Sequence, residues 1–165
     1  MRLECSQPSR SRLRRLTLIT CAVLYGQIVL GAVLRHTVKD AQLMLSQRLH
    51  FLGAFAVVAC ILWLVKAIRD RHAGDRRLAR LSVVLIVLTT LQLLLGVESW
   101  MNRFGSGVPE PAVTIASGMT RTLHFVIGSL IFATTVVLSL LAFQPQPRPA
   151  SIPVAHRKTV LEGVA

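Results

Sequence analysis

Four long apolar stretches, each free of Asp, Glu, Lys and Arg, alternate with short charged segments along this 165-residue chain. Together they predict an all-α integral membrane protein with spans at about 16–34, 49–67, 80–97 and 122–143. A bilayer core about 30 Å thick needs about 20 apolar helical residues. The two shorter middle stretches therefore cross it only if basic residues at their ends reach the interface. A soluble bundle is disfavoured because these helices keep hardly any polar face for water.

The short connections between the spans predict one antiparallel, up-down four-helix bundle over residues 16–143. A basic arm at 1–15 precedes the bundle, and a proline-rich tail at 144–165 is expected to be disordered. The loop between the third and fourth spans is the longest. Its segment 105–111, Gly-Ser-Gly-Val-Pro-Glu-Pro, breaks helix and is expected to lie as a lid over one mouth of the bundle.

Two segments of the chain repeat one another. Residues 27–31 read Gln-Ile-Val-Leu-Gly and are followed by Leu-His-Phe-Leu-Gly at 49–53. Residues 92–96 read Gln-Leu-Leu-Leu-Gly and are followed by Leu-His-Phe-Val-Ile-Gly at 123–128. Both units start on the same side of the membrane. The bundle is therefore predicted to consist of two parallel helix-pair repeats related by an axis along the membrane normal.

The net charge of +12 follows this topology. Of the 19 Lys and Arg residues, 14 fall before the first span, from the end of the second span to the start of the third, or after the fourth. Because positive charge marks the cytoplasmic side, both termini are predicted to be cytoplasmic, in a bacterial or archaeal plasma membrane. The basicity is thus topological and does not indicate a nucleic-acid partner. The expected partner of the 66–80 loop is anionic lipid.

His50 and His124 are the leading candidates for chemistry. Each lies one or two residues inside the start of its span, so the two share a level in the membrane. In a four-helix bundle the second and fourth helices lie on a diagonal, and ligand sites form between side chains on facing helices. Two imidazoles facing each other from opposite sides are typical of a bound heme iron. Ionisable residues at membrane depth are generally functional.

Gly53 lies three residues after His50, and Gly128 lies four after His124. Each glycine therefore shares a helix face with a histidine, one turn deeper. A missing side chain there is expected to let a flat macrocycle approach the backbone. Small residues also pack helix against helix in membranes, but the pairing with two repeated histidines favours the ligand.

Four further polar residues are candidates with two interpretations each. Gln27 and Gln92 need partners for their amides, either across helices, which is favoured, or at the edge of a bound ring. His36, just past the first span, is a candidate second ligand, catalytic residue or proton carrier, or an ordinary interfacial histidine. Glu98 either orients a ligand histidine or ends its helix in solvent.

Three arginines lie at the same end of the bundle as the histidines. Arg35 lies at the end of the first span, Arg48 precedes the second and Arg121 precedes the fourth. Guanidinium groups bind carboxylates through two parallel hydrogen bonds, which suits the propionates of a heme. Arg121 is three residues before His124 and shares its helix face. The alternative for each arginine is interfacial anchoring.

At these residues the sequence resembles the heme A synthase family of cytochrome oxidase assembly proteins. Residues 27–37, Gln-Ile-Val-Leu-Gly-Ala-Val-Leu-Arg-His-Thr, resemble the family's Gln-x-x-Leu-Gly-Ala-x-x-Arg-x-Thr helix end. The Leu-His-Phe segments at 49–51 and 123–125 resemble its heme-ligating helix starts. The resemblance implies that His50 and His124 are the axial ligands of a heme b. It also implies oxidation of a heme O methyl group to the formyl group of heme A.

The chain departs from the family in three respects, of which one is that it lacks the cysteine pair found in the outer loops of many members. The family fuses two such bundles, one for a heme b cofactor and one for the substrate heme, whereas this chain has one. The glutamate expected three residues before the first ligand histidine is Gln47, which cannot exchange a proton as a carboxylate does. The alternatives are a bis-histidine cytochrome for electron transfer and a non-catalytic oxidase assembly factor. A homo-oligomer is expected, with heme O synthase or oxidase assembly proteins as further partners.

Overall fold

A computed structural model of the chain describes residues 7–36, 40–104 and 114–145, with side chains for 10–36, 42–102 and 114–145. Every regular element in these ranges is a helix. The helices are α1 (Gln7–His36), α2 (Asp40–Arg71), α3 (Arg76–Phe104) and α4 (Ile115–Phe143). Each is long and apolar enough to cross a membrane. The predicted four-helix membrane bundle is thereby confirmed.

Each helix is longer than the uncharged stretch that predicted it. α1 starts at Gln7, inside the segment predicted as an arm, and α4 starts at Ile115. The flanks are rich in Arg, Lys, Gln and Met, which are good helix formers and extend the apolar helices into the interface. The predicted lid and most of the predicted disordered tail lie outside the described residues.

Side-chain caps mark the starts of two helices. The Asp75 carboxylate accepts hydrogen bonds from the backbone N–H groups of Arg77 at 2.9 Å and Leu78 at 3.3 Å, at the start of α3. Thr114 and Ser117 form a capping box at the start of α4, with 3.1 Å bonds in both directions. These bonds satisfy donors that a helix leaves unpaired in its first turn, so the turns form at defined residues.

The four helices are arranged in a ring. α1 packs most extensively on α2, and α3 does so on α4; α1 also packs on α4, whereas α2 and α3 pack least closely. Within the described residues, the backbones of α2 and α4 do not approach one another closely, nor do those of α1 and α3. Helices α2 and α4 therefore lie on a diagonal, as predicted, and the two intimate helix pairs correspond to the two sequence repeats.

The apolar core fills one end of the bundle. We call the end where α1 starts and α4 ends the inner end, and the opposite one the outer end. The twelve buried apolar residues lie at or inward of Leu24, Val57, Leu85 and Ile131 on the four helices. Outward of these positions the buried residues are Ser and Thr instead. Buried Ser and Thr also occur in the inner half, so what distinguishes the outer half is that none of its described apolar side chains is fully buried.

Arginines from the segment predicted as a basic arm close the inner end. Arg14 donates from Nε to the carbonyl of Ala142 at 3.0 Å, and Arg10 donates to the carbonyl of Gln144 at 2.6 Å. The Arg14 guanidinium also lies 5.1 Å from the centroid of the Phe143 ring. Because the last carbonyls of a helix lack partners and carry partial negative charge, these contacts join α1 to the end of α4.

Candidate functional site

The two repeated histidines meet in the outer half of the bundle. His50 comes from α2 and His124 from α4, and both are half-buried. Their ring centroids are 6.5 Å apart and the ring planes are inclined by 68°. The residues are 74 positions apart in sequence and lie on helices whose backbones do not approach closely, so the whole bundle positions this pair.

Each histidine ring packs on a glycine of the neighbouring helix in its own repeat. A Cβ built on Gly31 would lie 3.2 Å from Cε1 and 3.7 Å from Nδ1 of His50. A Cβ built on Gly96 would lie 3.1 Å and 3.6 Å from the same atoms of His124. Distances of 3.1–3.2 Å are too close for a relaxed methyl contact, so glycine is what lets each ring lie against the backbone.

Gly31 and Gly96 were not among the candidate site residues from sequence, although both are the last residue of the repeated Gln-x-x-x-Gly motif. The motif was considered for its glutamine only. The sequence signal that identifies them is a glycine at the same place in both units. In each unit this glycine lies one turn from a buried polar side chain.

The two glutamines behave differently. Gln27 donates from Nε2 to the backbone carbonyl of His50 at 2.8 Å. Gln92 instead places Nε2 at 3.3 Å from Nε2 of the His124 ring. In the second contact the donor and acceptor roles depend on the tautomer of the ring. Both glutamines bond across helices, which was the favoured interpretation, but only Gln92 bonds to an imidazole.

Gly53 and Gly128 accommodate these glutamines. A Cβ on Gly53 would contact Oε1 of Gln27 and lie 3.2 Å from its Cδ, and a Cβ on Gly128 would lie 3.0 Å from Nε2 of Gln92. Room for a macrocycle beside the two glycines stays a prediction, and it requires the amides to move. The space beside each glycine is filled by an amide side chain of the neighbouring helix.

Five buried polar atoms without a hydrogen-bond partner in the described residues belong to the two histidines, the two glutamines and Arg121, which is one helical turn from His124. They are Nδ1 of both histidines, Oε1 of both glutamines and Nε of Arg121. Each unpaired buried group of this kind costs about 1–3 kcal/mol. A concentration of them at one level is exceptional for a folded protein, in which buried polar groups are generally paired.

The arginines divide into two kinds. Arg121 is half-buried, one helical turn before His124, with its buried Nε unpaired. Arg35 and Arg48 are exposed, and so is His36 at the end of α1. Arg121 is therefore the arginine best placed for an anionic group beside the histidines. The side chain at the equivalent position of the first repeat is Gln47, which is also half-buried.

Glu98 is exposed and accepts a hydrogen bond from the buried hydroxyl of Thr120 at 3.3 Å. This contact joins α3 to α4 about one turn before His124. In the described residues Glu98 makes no hydrogen bond to either histidine. Its role in orienting a ligand histidine stays a prediction. On the other side of the site, the Phe51 ring beside His50 meets Trp100 of α3, with centroids 6.0 Å apart.

No group of three or more His, Cys, Asp or Glu side chains converges in the described parts of the chain. A multi-ligand metal centre built from protein alone is therefore not formed by those residues, whereas a two-histidine set is. No family model, curated protein or solved structure matches the chain.

Proposed function

We propose that this protein binds a heme through His50 and His124 in the outer half of a four-helix membrane bundle. The observation that carries the proposal is the 6.5 Å separation of the two ring centroids. An imidazole nitrogen binds a transition metal at about 2.0 Å and its ring centroid lies about 1.1 Å further back, so two imidazoles on opposite sides of one iron have centroids roughly 6 Å apart. The observed separation agrees with that requirement.

The donor set also fits a heme. Neutral imidazoles are standard axial ligands, and the porphyrin supplies the remaining iron ligands, so two histidines are sufficient. The bound group would supply one-electron redox chemistry at the iron. The chain's own contribution is positional: Gly31 and Gly96 let the rings lie against the neighbouring helices, which restricts their rotation. The unpaired buried atoms at the same level support a site that receives another polar group.

Arg121 is the proposed partner of a heme propionate. Its buried and unpaired Nε lies one turn outward of His124, and hydrogen bonds between guanidinium and carboxylate are about twice as strong as neutral ones. Arg35 and Arg48 are exposed at the same end. Water there would weaken their ion pairs with propionates or lipid headgroups.

The finer proposal is a heme A synthase-type oxidoreductase that converts heme O to heme A, because the repeated motifs resemble that family. One histidine pair serves one heme, so this reaction requires a homo-oligomer or a partner that brings the second heme. The alternative is a bis-histidine cytochrome for electron transfer. Gln47 favours it, since an amide at this position cannot act as the general base or acid that a carboxylate provides.

We also propose that the inner end faces the cytoplasm, because most of the basic residues of the chain fall on that side. The heme then lies near the outer leaflet. Cysteine-reactive labelling of a residue introduced at Gly74, in the α2–α3 loop, should require access from the cytoplasm. Labelling of that position by an impermeant reagent from outside would show that the orientation is the opposite of the proposed one.

The first test is an optical titration of detergent-purified protein with hemin. We expect a six-coordinate, low-spin b-type spectrum in wild type, and loss of the low-spin signal in both His50→Ala and His124→Ala. A protein that stays colourless would favour a scaffold whose histidines only bond across helices. Retention of the low-spin spectrum in one variant would remove that histidine from the ligand pair.

The second test separates the enzyme from the electron carrier. The chain is co-expressed with a heme O source, and the pigments are extracted and analysed. Accumulation of heme A above the level of a His50→Ala, His124→Ala double variant supports the synthase. Reversible redox cycling without a new pigment supports the electron carrier.

A further inference from the structure

The two half-sites share the packing of histidine on glycine but not the contact of glutamine with histidine. In the first, the Gln27 amide holds the backbone carbonyl of His50 and leaves the ring nitrogens alone. In the second, the Gln92 amide contacts Nε2 of the His124 ring. Hydrogen bonding to one nitrogen of an imidazole decides the state of the other. The two rings are therefore prepared differently for a metal.

The contact with Gln92 occupies one ring nitrogen. The Gln92 amide nitrogen faces Nε2 of His124, which makes Nε2 the acceptor in the Nδ1–H tautomer of the ring. A lone pair directed at an N–H group is the same lone pair that an iron would need. Gln92 and a metal therefore compete for one nitrogen. At 3.3 Å the hydrogen bond is at the long end of the usual range, so it is weak enough to be displaced.

We propose that Gln92 is a positioning residue that makes His124 the exchangeable ligand of the pair, whereas His50 is the permanent one. This inference rests on the proposed heme site. It adds a property that a symmetric bis-histidine site lacks: His124 would leave a bound heme more readily than His50, so the α4 side would be open to a small diatomic molecule. Gly128 maintains the arrangement, because it leaves the space that the Gln92 amide occupies.

The experiment compares carbon monoxide binding to the reduced, heme-loaded protein in wild type, Gln92→Met and the matched variant Gln27→Met. Methionine keeps the length of glutamine and removes the N–H donor. Wild type should bind carbon monoxide. Gln92→Met should bind it about three- to tenfold more weakly, because the variant lacks the one hydrogen bond that competes with the iron for Nε2 of His124. Gln27→Met also removes a buried amide but frees a backbone carbonyl and not a ring nitrogen, so its change in carbon monoxide affinity should be smaller than that of Gln92→Met.

A measurement on heme-free wild-type protein requires no variant to fold. The ¹⁵N chemical shifts of the two imidazoles report their tautomers. We expect the Nδ1–H tautomer for His124, and its loss in Gln92→Met with the His50 shifts unchanged. A His124 ring that is protonated on Nε2 in wild type overturns the proposal.

The outcomes separate the two proposals. If wild type takes up no heme, the proposed function fails and this inference fails with it. If heme binds but wild type takes no carbon monoxide, or both methionine variants shift its affinity equally, only the inference fails. Size-exclusion profiles and heme-free melting temperatures of the two variants show whether each has folded.

Discussion

The two helix pairs of this protein are copies in shape and different in polar contacts. In both, a histidine ring lies on a glycine of the neighbouring helix, and the distances agree within 0.1 Å. In α1–α2 the glutamine bonds to the histidine backbone, and in α3–α4 it bonds to the ring. The position three residues before the histidine is Gln47 in one pair and Arg121 in the other.

This comparison separates two kinds of constraint. The packing of histidine on glycine depends on backbone separation, which is the same wherever two helices cross with a glycine at the contact. The direction of an amide depends on which donors and acceptors surround it, and those differ between the pairs. A repeated backbone can therefore carry two chemically distinct ligands.

The largest expected effect comes from removing the ligands one at a time. His50→Ala should lower heme affinity by more than about 100-fold and His124→Ala by only about tenfold, because a permanent ligand contributes more than an exchangeable one. Hemin titration with competition by apomyoglobin measures both. Equal losses would break the comparison and make the two histidines equivalent.

The shared glycine contact predicts equal effects in the two pairs. Gly31→Ala and Gly96→Ala each add a methyl at 3.1–3.2 Å from a histidine carbon, and overpacking of this kind costs about 1–3 kcal/mol. Since Ala favours a helix over Gly by about 1 kcal/mol, the heme-free melting temperature should change little. Heme affinity should fall about tenfold in each.

The matched control for these variants is Gly26→Ala. A Cβ there meets nothing within 4 Å, so this variant should gain helix stability by up to about 1 kcal/mol and keep its heme affinity. A fall in affinity for Gly26→Ala equal to that for Gly31→Ala would show that the ring contact is not the cause.

The next pair sharpens the difference between the glutamines. Gly53→Ala displaces Gln27 from the His50 carbonyl, which should lower the free energy of unfolding by about 1–2 kcal/mol. Gly128→Ala displaces Gln92 from the His124 ring and should reproduce the weaker carbon monoxide binding of Gln92→Met. Chemical denaturation and carbon monoxide titration measure the two effects, with Gly118→Ala as the control because its Cβ meets nothing within 4 Å.

The smallest expected effect concerns the arginines. Arg121→Gln makes the second pair resemble the first, and it should lower heme affinity about two- to fivefold, with the deficit shrinking as salt rises, because the pair with a propionate is partly screened. Arg48→Gln, at an exposed position, should change affinity less than about twofold. The ranking fails if the two variants weaken binding equally at low salt.

Much of the arrangement was predictable from individual residues. The absence of charge over 16–34 and 122–143 predicted two of the spans, and the repeat predicted that His50 and His124 share a level on diagonal helices. The starts of the helices were less predictable. Gln7 and Ile115 begin their helices beyond the apolar stretches, because a helix continues through charged residues of good propensity, which hydropathy does not register.

The candidate site was predicted in part. Gln27 and Gln92 bond across helices as favoured, but the partner of each, a backbone carbonyl in one case and a ring nitrogen in the other, has no counterpart in a sequence pattern. Gly53 and Gly128 were assigned to a ligand, and the structure fills their space with amides. The sequence places residues on a helix face, but the rotation and crossing of the neighbouring helix decide what each face meets.

By itself, the sequence determined the number of helices, their membrane character and the matched depth of two histidines, because apolar length and internal repetition are properties of contiguous residues. Only the tertiary structure decided that the two rings lie 6.5 Å apart, that Gly31 and Gly96 support them, and that one amide is directed at an imidazole. These contacts join residues distant in sequence, and their geometry arises from the collective packing of all four helices.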